Sequence, residues 1–296
     1  MSNILITGSK GQLGTELAAI NGQFPHFKLF LTDTDSLDIT NFSAVENFII
    51  NNKIDIIINC AAYTNVDKAE DEVEISNKIN FEAVKNMAEI AKKHALKLIH
   101  ISTDYVFDGT SQIPYSETVL TNPKNQYGKS KDLGEKALLK INPENSIIIR
   151  TSWLYAVSGH NFVKTILKLS KERNEIKVVN DQIGSPTNAA DLAKVILTIV
   201  PKIDCKNVEI FHFSNQGKCS WFQFAQEIIK ISKRNCTVLP ITSKEFNSKA
   251  YRPNFSLLNT EKIKNTFQIN IPTWQDALIN CLKKINEIKE GEPKHS

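Results

Sequence analysis

The sequence predicts an α/β fold in which a doubly wound parallel sheet carries a smaller, mixed α/β lobe. Short runs of β-branched residues alternate with amphipathic stretches in the first half of the chain, which is typical of parallel strands joined by helical crossovers. Several of these runs are apolar throughout, as strands covered on both faces should be. After about residue 155 the elements become mixed, which favours a second lobe over the open end of the sheet.

The predicted elements follow one another in order along the chain. In the first half, the strands are residues 3–7, 28–32, 55–59, 97–102 and 146–150. Apolar residues three and four positions apart predict helices over residues 12–21, 41–51, 74–94 and 125–141. In the second half, helices are predicted at 161–173, 189–200, 221–233 and 273 to about 290. Strands are predicted at 177–179 and 209–213, with a Gly/Pro loop at 181–187. We expect a flexible tail at 291–296.

The composition argues against several classes of protein. With 296 residues, 41% of them hydrophobic and 23% charged, the chain can bury a large core. The formal net charge of +4 is small and the lysines are scattered, so we expect no nucleic-acid partner. The N-terminus lacks a leader-like pattern and no apolar run reaches about eighteen residues, so we expect no membrane partner and a cytoplasmic location.

The cysteines predict neither a disulfide framework nor a metal site. They are five in number, an odd count, and no CxxC pair or Cys/His cluster occurs among them. We interpret them as free thiols in a reducing compartment, located at Cys60, Cys205, Cys219, Cys236 and Cys281.

A glycine-rich turn follows the first predicted strand and opens the first predicted helix. Its sequence, TGSKGQLG at residues 7–14, lacks side chains where a pyrophosphate would approach the backbone. The helix N-terminus then offers free N–H groups and a positive dipole end to phosphates. The turn therefore predicts a Rossmann-type dinucleotide site, with contacts from Gly8, Gly11, Gln12, Leu13 and Gly14.

An aspartate ends the second predicted strand, about twenty residues beyond the glycines. Asp33 can accept hydrogen bonds from the adenosine ribose and would repel a 2′-phosphate, which favours NADH. Alternatively, it is a solvated turn residue. Because Lys10 in the glycine turn could accommodate a phosphate, the sequence leaves NADH and NADPH both open.

A tyrosine and a lysine four residues apart begin the fourth predicted helix. Tyr127 and Lys131 share one helical face, and a nearby ammonium lowers the pKa of a phenol towards the working range of an acid–base catalyst. Thr103 follows the fourth strand, at the edge of the sheet where ligands bind, and its hydroxyl can hold a carbonyl oxygen. Asp104 beside it could hold a sugar hydroxyl or fix the loop.

These motifs resemble the extended short-chain dehydrogenases/reductases, which share the GxxGxxG spacing. Within them, the chain is similar over nearly its whole length to the dTDP-4-dehydrorhamnose reductase family. The stretches that carry this resemblance are GSKGQLGTEL, CAAYTNVDKAE, ISTDYVFDG, YGKSK, GEKAL, IIRTSWLYA, NFVKTIL, VVNDQIGSPT, CSWFQFA, LNTEK and PTWQDAL.

The resemblance implies a reaction, and it implies that one domain binds the dinucleotide and the other binds the substrate. The dinucleotide would bind residues 1–155 with parts of 180–215, and the nucleotide sugar would bind mainly residues 156–290. A hydride would pass from NADH or NADPH to the C4 ketone of dTDP-4-dehydro-6-deoxy-L-mannose, and Tyr127 would protonate the alkoxide to give dTDP-L-rhamnose. Lys131 would bind the nicotinamide ribose, and Thr103 the carbonyl.

The resemblance also implies further contacts with both ligands. Asp38 and Ile39 would flank the adenine, although they could equally lead a helix and fill the core. The end of the third strand would approach the dinucleotide through Ala61, Ala62, Tyr63 and Thr64. On the substrate side, Trp153 would form a wall against the sugar, or serve as a core tryptophan. Arg252 would face the pyrophosphate, or lie exposed at the surface.

The chain departs from the family at a magnesium site that links some members into dimers. Glu16 matches the first carboxylate, but Ala190 stands at the second position with Asp191 beside it, and Glu292 is the candidate for the third. A hard cation needs a full set of oxygen ligands, so we expect no metal and a monomer or weak homodimer.

Two other functions are compatible with parts of this pattern. A nucleotide-sugar dehydratase or epimerase shares the superfamily, but dehydratases carry Asp-Glu after the threonine, where this chain has Asp104 and Tyr105. The non-catalytic regulatory subunit of methionine adenosyltransferase also resembles these reductases, although the intact tyrosine, lysine and threonine favour an enzyme.

Overall fold

A six-stranded parallel sheet forms the centre of the computed structural model, which describes residues 1–291. The strand order is β10-β5-β4-β3-β1-β2, so the chain winds outwards in both directions from the middle of the sheet. The strands of the molecule are β1 (Ser2–Thr7), β2 (Phe27–Thr32), β3 (Ile56–Asn59), β4 (Lys97–Thr103), β5 (Ile147–Thr151), β6 (Leu154–Tyr155), β7 (Glu175–Val179), β8 (Ile183–Gly184), β9 (Thr187–Asn188), β10 (Glu209–Phe213), β11 (Cys219–Ser220) and β12 (Thr237–Ile241).

Some helices cover both faces of this sheet, and others pack around a separate apolar cluster in the second half of the chain. They are α1 (Gln12–Ala19), α2 (Phe42–Asn51), α3 (Val66–Ala69), α4 (Val73–Asn77), α5 (Ala83–His94), α6 (Gln126–Ile141), α7 (Phe162–Glu172), α8 (Ala189–Ile199), α9 (Trp221–Ile231), α10 (Ser243–Phe246), α11 (Glu261–Phe267) and α12 (Trp274–Gly291). Several begin at an asparagine whose side chain accepts a hydrogen bond from the first turn, as Asn41, Asn125 and Asn161 do.

The apolar strands explain why the sheet lies in the middle of the molecule. Alternate residues of β1 belong to opposite cores, with Ile4 and Ile6 on one face and Leu5 on the other. All three side chains are fully buried. Because both faces need cover, helices pack on each side, and the predicted doubly wound α/β class is confirmed.

One predicted helix differs from the observed structure in its middle. The sequence predicts a continuous helix over 74–94, whereas a π-helical turn at Lys78–Glu82 separates α4 from α5. Asn80 in this turn is fully buried, and its side chain bonds the backbone of Tyr63 and the hydroxyl of Ser130. These tertiary bonds explain why the turn widens where apolar spacing alone predicts a regular helix.

The second half of the chain contains a small parallel pair, of which the sequence predicts only one strand. Strand β7 pairs with β12, which had not been predicted because Pro240 interrupts its short apolar run. The final helix extends to Gly291, although the sequence predicts a flexible tail from that residue, and the rest of the predicted tail, 292–296, lies outside the described residues. Within residues 1–291, every helix is too short or too polar to span a lipid bilayer.

Candidate active site

The carboxyl ends of the central strands open into a cavity of about 970 Å³. Four adjacent parallel strands end at this edge: Thr7 pairs with Asn59, Asn59 with His100, and Thr103 with Thr151, so β4 and β5 extend beyond the ends of β1 and β3. The predicted site residues that line this cavity are Gly8, Gly11, Gln12, Leu13, Gly14, Asp33, Asp38, Ile39, Ala61, Ala62, Thr64, Thr103, Asp104, Tyr127, Lys131 and Trp153. Tyr63 and Arg252 lie outside this lining.

The glycine turn forms one end of the cavity. Gly8 has a φ of +65°, and a Cβ there would approach the backbone nitrogen of Ala61 to 2.7 Å. A Cβ on Gly14 would lie 2.4 Å from the carbonyl oxygen of Gly8. Both positions therefore require glycine, because the backbone approaches too closely for a Cβ. Without these side chains, the N-terminus of α1 is open towards the cavity.

Asp33 is held in the loop that follows β2. Its carboxylate accepts hydrogen bonds from the backbone N–H of Lys10 at 2.9 Å and of Thr34 at 2.9 Å. Although burial acts in the opposite direction, these bonds lower the pKa of Asp33. The ammonium of Lys10 pairs with Asp35 at the exposed surface. A fixed negative charge and a nearby cation therefore share the rim where an adenosine ribose would lie.

Tyr63 and the segment before it contribute backbone rather than a ring to this region. The phenol of Tyr63 hydrogen-bonds the carboxylate of Glu72, and its backbone N–H donates to Asn80. Its side chain therefore turns away from the cavity, while Ala61, Ala62 and Thr64 line it.

Helix α6 positions Tyr127 through its first turn. The side chain of Asn125 caps the helix by accepting from the N–H of Gly128 at 2.7 Å. The Tyr127 ring meets Tyr105 edge to face, with ring centroids 5.7 Å apart. Burial around the phenol raises the pKa of Tyr127, against the lowering effect of the Thr103 hydroxyl. The phenol therefore keeps its proton at neutral pH.

Lys131 lies one turn further along α6 and is fully enclosed. Its Nζ donates to the carbonyl oxygen of Ile101 at 2.6 Å and lies 3.2 Å from Nε2 of His100. Burial lowers the pKa of Lys131 to about 8, although the carboxylate of Glu135 opposes this shift. Burial, and then the charge of Lys131, lower the pKa of His100 well below its ordinary value. The imidazole is therefore neutral.

The structure differs from the expected direct influence of the lysine on the tyrosine. Among the described residues, no hydrogen bond joins Lys131 to Tyr127, and the pKa of Tyr127 is raised rather than lowered. Lys131 instead donates to the carbonyl oxygen of Ile101 in strand β4, and burial raises the pKa of Tyr127; the spacing of the two residues on a helix reveals neither effect. A ligand between the two side chains would be needed to couple them.

Thr103 and Asp104 face the tyrosine from the end of β4. The hydroxyl of Thr103 accepts from the N–H of Tyr105 at 3.2 Å and donates to a carboxylate oxygen of Asp104 at 3.1 Å. The other oxygen of Asp104 is buried and has no partner among the described residues. Burial raises the pKa of Asp104 to about 7, although the neighbouring hydroxyls of Ser256 and Thr103 act in the opposite direction.

We expect Asp104→Asn to change how stability depends on pH. The folded protein binds the Asp104 proton more tightly than the unfolded chain does, so the stabilisation is complete below about pH 4 and is lost as pH rises to about 7. In urea unfolding from pH 5 to 8, the free energy of unfolding of the wild type should fall relative to the variant, by at most about 1.4 kcal/mol per pH unit up to pH 7.

Asp108→Asn provides the control for this experiment. Burial opposes it, but hydrogen bonds from Thr110, Asn122 and Tyr115 lower the pKa of Asp108 to about 2. Its stabilisation is present above about pH 4 and is lost only as pH falls towards 2, so the difference from wild type should be constant between pH 5 and 8. A sloping difference for Asp108→Asn, or a flat one for Asp104→Asn, contradicts the assignment.

Trp153 and Arg252 occupy different positions relative to the cavity. Trp153 is half-buried and lines the cavity. Arg252 pairs with Asp67 at 2.7 Å and lies 3.3 Å from the hydroxyl of Tyr105, which does line it. The buried Nε of Arg252 has no partner in the described part of the chain. The guanidinium of Arg252 thus lies behind Tyr105, half-buried and outside the cavity lining.

Several residues of this cavity were not predicted from the sequence. The segment Gly159, His160 and Asn161 reaches the lining from the N-terminus of α7, and Ser152 and Leu154 flank Trp153. The sequence does indicate that a helix begins shortly after Gly159. It does not indicate that this helix start approaches the glycine turn, because that is a contact between distant segments.

The carboxylates that the family resemblance suggested for a metal include Glu16 and Asp191, which lie near each other. No group of three His, Cys, Asp or Glu side chains able to hold a metal occurs within the described residues. Burial raises the pKa of Glu16, Lys284 opposes this shift, and Asp191 adds to it. A lysine thus supplies positive charge beside Glu16, and Glu292 lies outside the described residues.

The fold and the cavity define a dinucleotide-binding α/β protein of the extended short-chain dehydrogenase/reductase class. A glycine turn, a tyrosine, a lysine and a threonine line the same cavity. Residues 1–287 match the model of the RmlD substrate binding domain family. The chain belongs to this family.

Comparison with known proteins agrees with this family. The chain is 41% identical to a dTDP-4-dehydrorhamnose reductase of Aggregatibacter actinomycetemcomitans, over 95% of this chain and 98% of that one. A reductase structure of the same name from Clostridium acetobutylicum has a TM-score of 0.90 at 39% identity, covering 96% of this chain and 99% of that chain. Another from Bacillus anthracis, solved in complex with NADP, has a TM-score of 0.90 at 39% identity, covering 96% and 100%. The resemblance predicted from the sequence motifs is confirmed.

Proposed function

We propose that the chain reduces the C4 ketone of dTDP-4-dehydro-6-deoxy-L-mannose to dTDP-L-rhamnose, with NADPH or NADH as reductant. The observation that carries this proposal is the placement of Tyr127, Thr103 and Lys131 in the same cavity as the glycine turn. Family membership supports both the reaction class and the type of cofactor. When bound, the reduced dinucleotide supplies the hydride.

Tyr127 donates the proton that balances the hydride. Its raised pKa keeps the phenol protonated until negative charge develops on the substrate oxygen. Thr103 donates a second hydrogen bond to the same oxygen, for which its hydroxyl must turn away from Asp104. Lys131 keeps a positive charge below this pair, held by the carbonyl of Ile101 and by His100. A nicotinamide ribose held between Lys131 and Tyr127 would couple this charge to the phenolate left after proton transfer.

Asp104, Trp153 and Arg252 hold the nucleotide sugar. The unpartnered oxygen of Asp104 bonds a sugar hydroxyl, and the indole of Trp153 packs against the sugar ring. The half-buried guanidinium of Arg252, with its free Nε, attracts the pyrophosphate from behind Tyr105. Asp104 and Arg252 each have a polar atom without a hydrogen-bond partner among the described residues, and Trp153 has a ring face towards the cavity.

The alternatives lack a feature that each of them needs. Elimination of water needs a carboxylate after Asp104, and Tyr105 stands there with its hydroxyl beside Arg252. A binding subunit needs no acid–base pair, yet Tyr127 and Lys131 are both in the cavity. A reductase accounts for all of these residues.

A coupled assay tests the proposed reaction. dTDP-glucose is supplied with a 4,6-dehydratase and a 3,5-epimerase, the chain is added, and the loss of absorbance of each reduced coenzyme is followed. We expect one equivalent of coenzyme to be oxidised per sugar, with dTDP-L-rhamnose as product. Product without net coenzyme loss indicates a dehydratase or epimerase, and binding without turnover indicates a regulatory subunit.

Two substitutions at the rim of the cavity should shift coenzyme preference in opposite directions. Asp33→Asn removes the charge that repels a 2′-phosphate, so the ratio of kcat/KM for NADPH over NADH should rise about tenfold. Lys10→Met removes the nearby cation and should lower the same ratio. Steady-state kinetics with both coenzymes check this, and a shift in the same direction for both variants contradicts the placement of the ribose.

We further propose that the chain acts as a monomer or weak homodimer without a metal. The positive charge of Lys284 beside Glu16 supports this, because it opposes binding of a divalent cation. Light scattering with EDTA and with magnesium should give the same mass, and a dimer that forms only with magnesium contradicts the proposal.

A further inference from the structure

The backbone of Trp153 adopts a conformation that bulky residues rarely occupy. Its φ of +48° lies in the left-handed region, just beyond the end of β5. Such a conformation persists only where surrounding contacts enforce it, and it is most often found at functional sites. Two contacts, with Trp221 and with Gly184, hold the indole of Trp153 in the cavity wall.

Trp221 makes the largest of these contacts. The two indoles stack in parallel, with ring centroids 3.6 Å apart and an angle of 11° between the planes. Phe162 packs on Trp221 in turn, at a centroid distance of 4.6 Å. Trp221 is the first residue of α9, whose start is fixed by a capping box between Ser220 and Gln223. The supporting ring is thus itself anchored.

Gly184 makes the second contact. A Cβ on this residue would lie 2.8 Å from Cε2 and 2.9 Å from Cζ2 of Trp153, closer than side-chain atoms approach one another. Strand β8, which contains Gly184, pairs with β11 immediately before Trp221. The loop at 181–187 and the segment at 219–225 are therefore joined to each other and to the same indole.

We infer that Trp221 and Gly184 are positioning residues that fix the indole of Trp153 as the wall of the sugar subsite. Neither residue belongs to the lining of the cavity that includes the glycine turn and Tyr127, so their effect on the site passes through Trp153. Affinity for the keto sugar therefore depends on them, whereas proton transfer and dinucleotide binding do not. This inference rests on the proposed function, because it assigns the sugar to this wall.

The kinetic test compares substitutions of the two positioning residues with one of another tryptophan. Trp221→Leu removes the stack, and Gly184→Ala displaces the indole. Each should raise KM for the keto sugar about tenfold, with kcat and the dinucleotide Kd within about twofold of wild type. Trp221→Phe keeps a ring against Phe162 and should raise KM less. Trp274→Phe changes a buried tryptophan outside the cavity lining and should leave KM unchanged.

A spectroscopic test reports the geometry independently of activity. Two stacked indoles couple their electronic transitions, so the circular dichroism spectrum should contain an exciton couplet that Trp221→Phe abolishes and Trp274→Phe retains. A wild type that shows the couplet but does not reduce the sugar overturns the proposed function, and with it the ligand assigned to this wall. An active Trp221→Leu variant with wild-type KM overturns the positioning role alone.

Discussion

Replacement of Tyr127 by phenylalanine should lower kcat by about a thousandfold while leaving the dinucleotide Kd within about twofold of wild type. The substitution removes a single hydroxyl from a ring that keeps its edge-to-face contact with Tyr105. The hydride would then have to be delivered to a carbonyl whose oxygen receives no proton. Single-turnover kinetics and fluorescence titration with the reduced coenzyme measure the two effects separately.

Tyr155→Phe is the matched control for this prediction. Tyr155 is fully buried outside the cavity lining, and its hydroxyl has no hydrogen-bond partner within the described residues. The same chemical change there should leave kcat unchanged and cost no stability, because no hydrogen bond is lost. If Tyr127→Phe turns over at the wild-type rate, the proton must come from another group and the proposed role of Tyr127 is wrong.

The parts of the site that depend on backbone geometry could be predicted from the sequence. Gly8 and Gly14 stand where a Cβ would collide with backbone, a requirement that any chain with this turn must meet. The four-residue spacing of Tyr127 and Lys131 likewise places both on one face of α6, since helix geometry is the same everywhere. Local rules were sufficient for these residues.

The parts that depend on contacts between distant segments could not be predicted in this way. His100 meets Lys131 only because β4 passes beneath α6, and this contact determines where the ammonium lies. Trp221 reaches Trp153 through the pairing of β8 with β11. The π turn at Lys78–Glu82 similarly follows from the buried bonds of Asn80. Local spacing is equally compatible with other arrangements of these residues, so the contacts between distant segments determine which arrangement forms.

A buried ion pair beneath the site carries the other large expected effect. The guanidinium of Arg150 donates to both carboxylate oxygens of Glu135, at 3.0 Å from Nε and 2.6 Å from Nη2. The two side chains are 3% and 1% exposed, and Ser102 also donates to the carboxylate. Glu135→Gln leaves a buried guanidinium without a counter-charge, which should lower the free energy of unfolding by about 3–5 kcal/mol.

The identical substitution at Glu89 separates this buried pair from an ordinary surface pair. Glu89 lies 3.8 Å from Lys85 on α5, and both side chains are about half exposed. Glu89→Gln should therefore change the free energy of unfolding by less than about 0.5 kcal/mol in urea titration at pH 7. The double variant Glu135→Leu/Arg150→Met should recover most of the stability lost in Glu135→Gln, because it removes the uncompensated charge. Equal effects at Glu135 and Glu89 would mean that water reaches Arg150, and that the ion pair contributes no more than a surface contact.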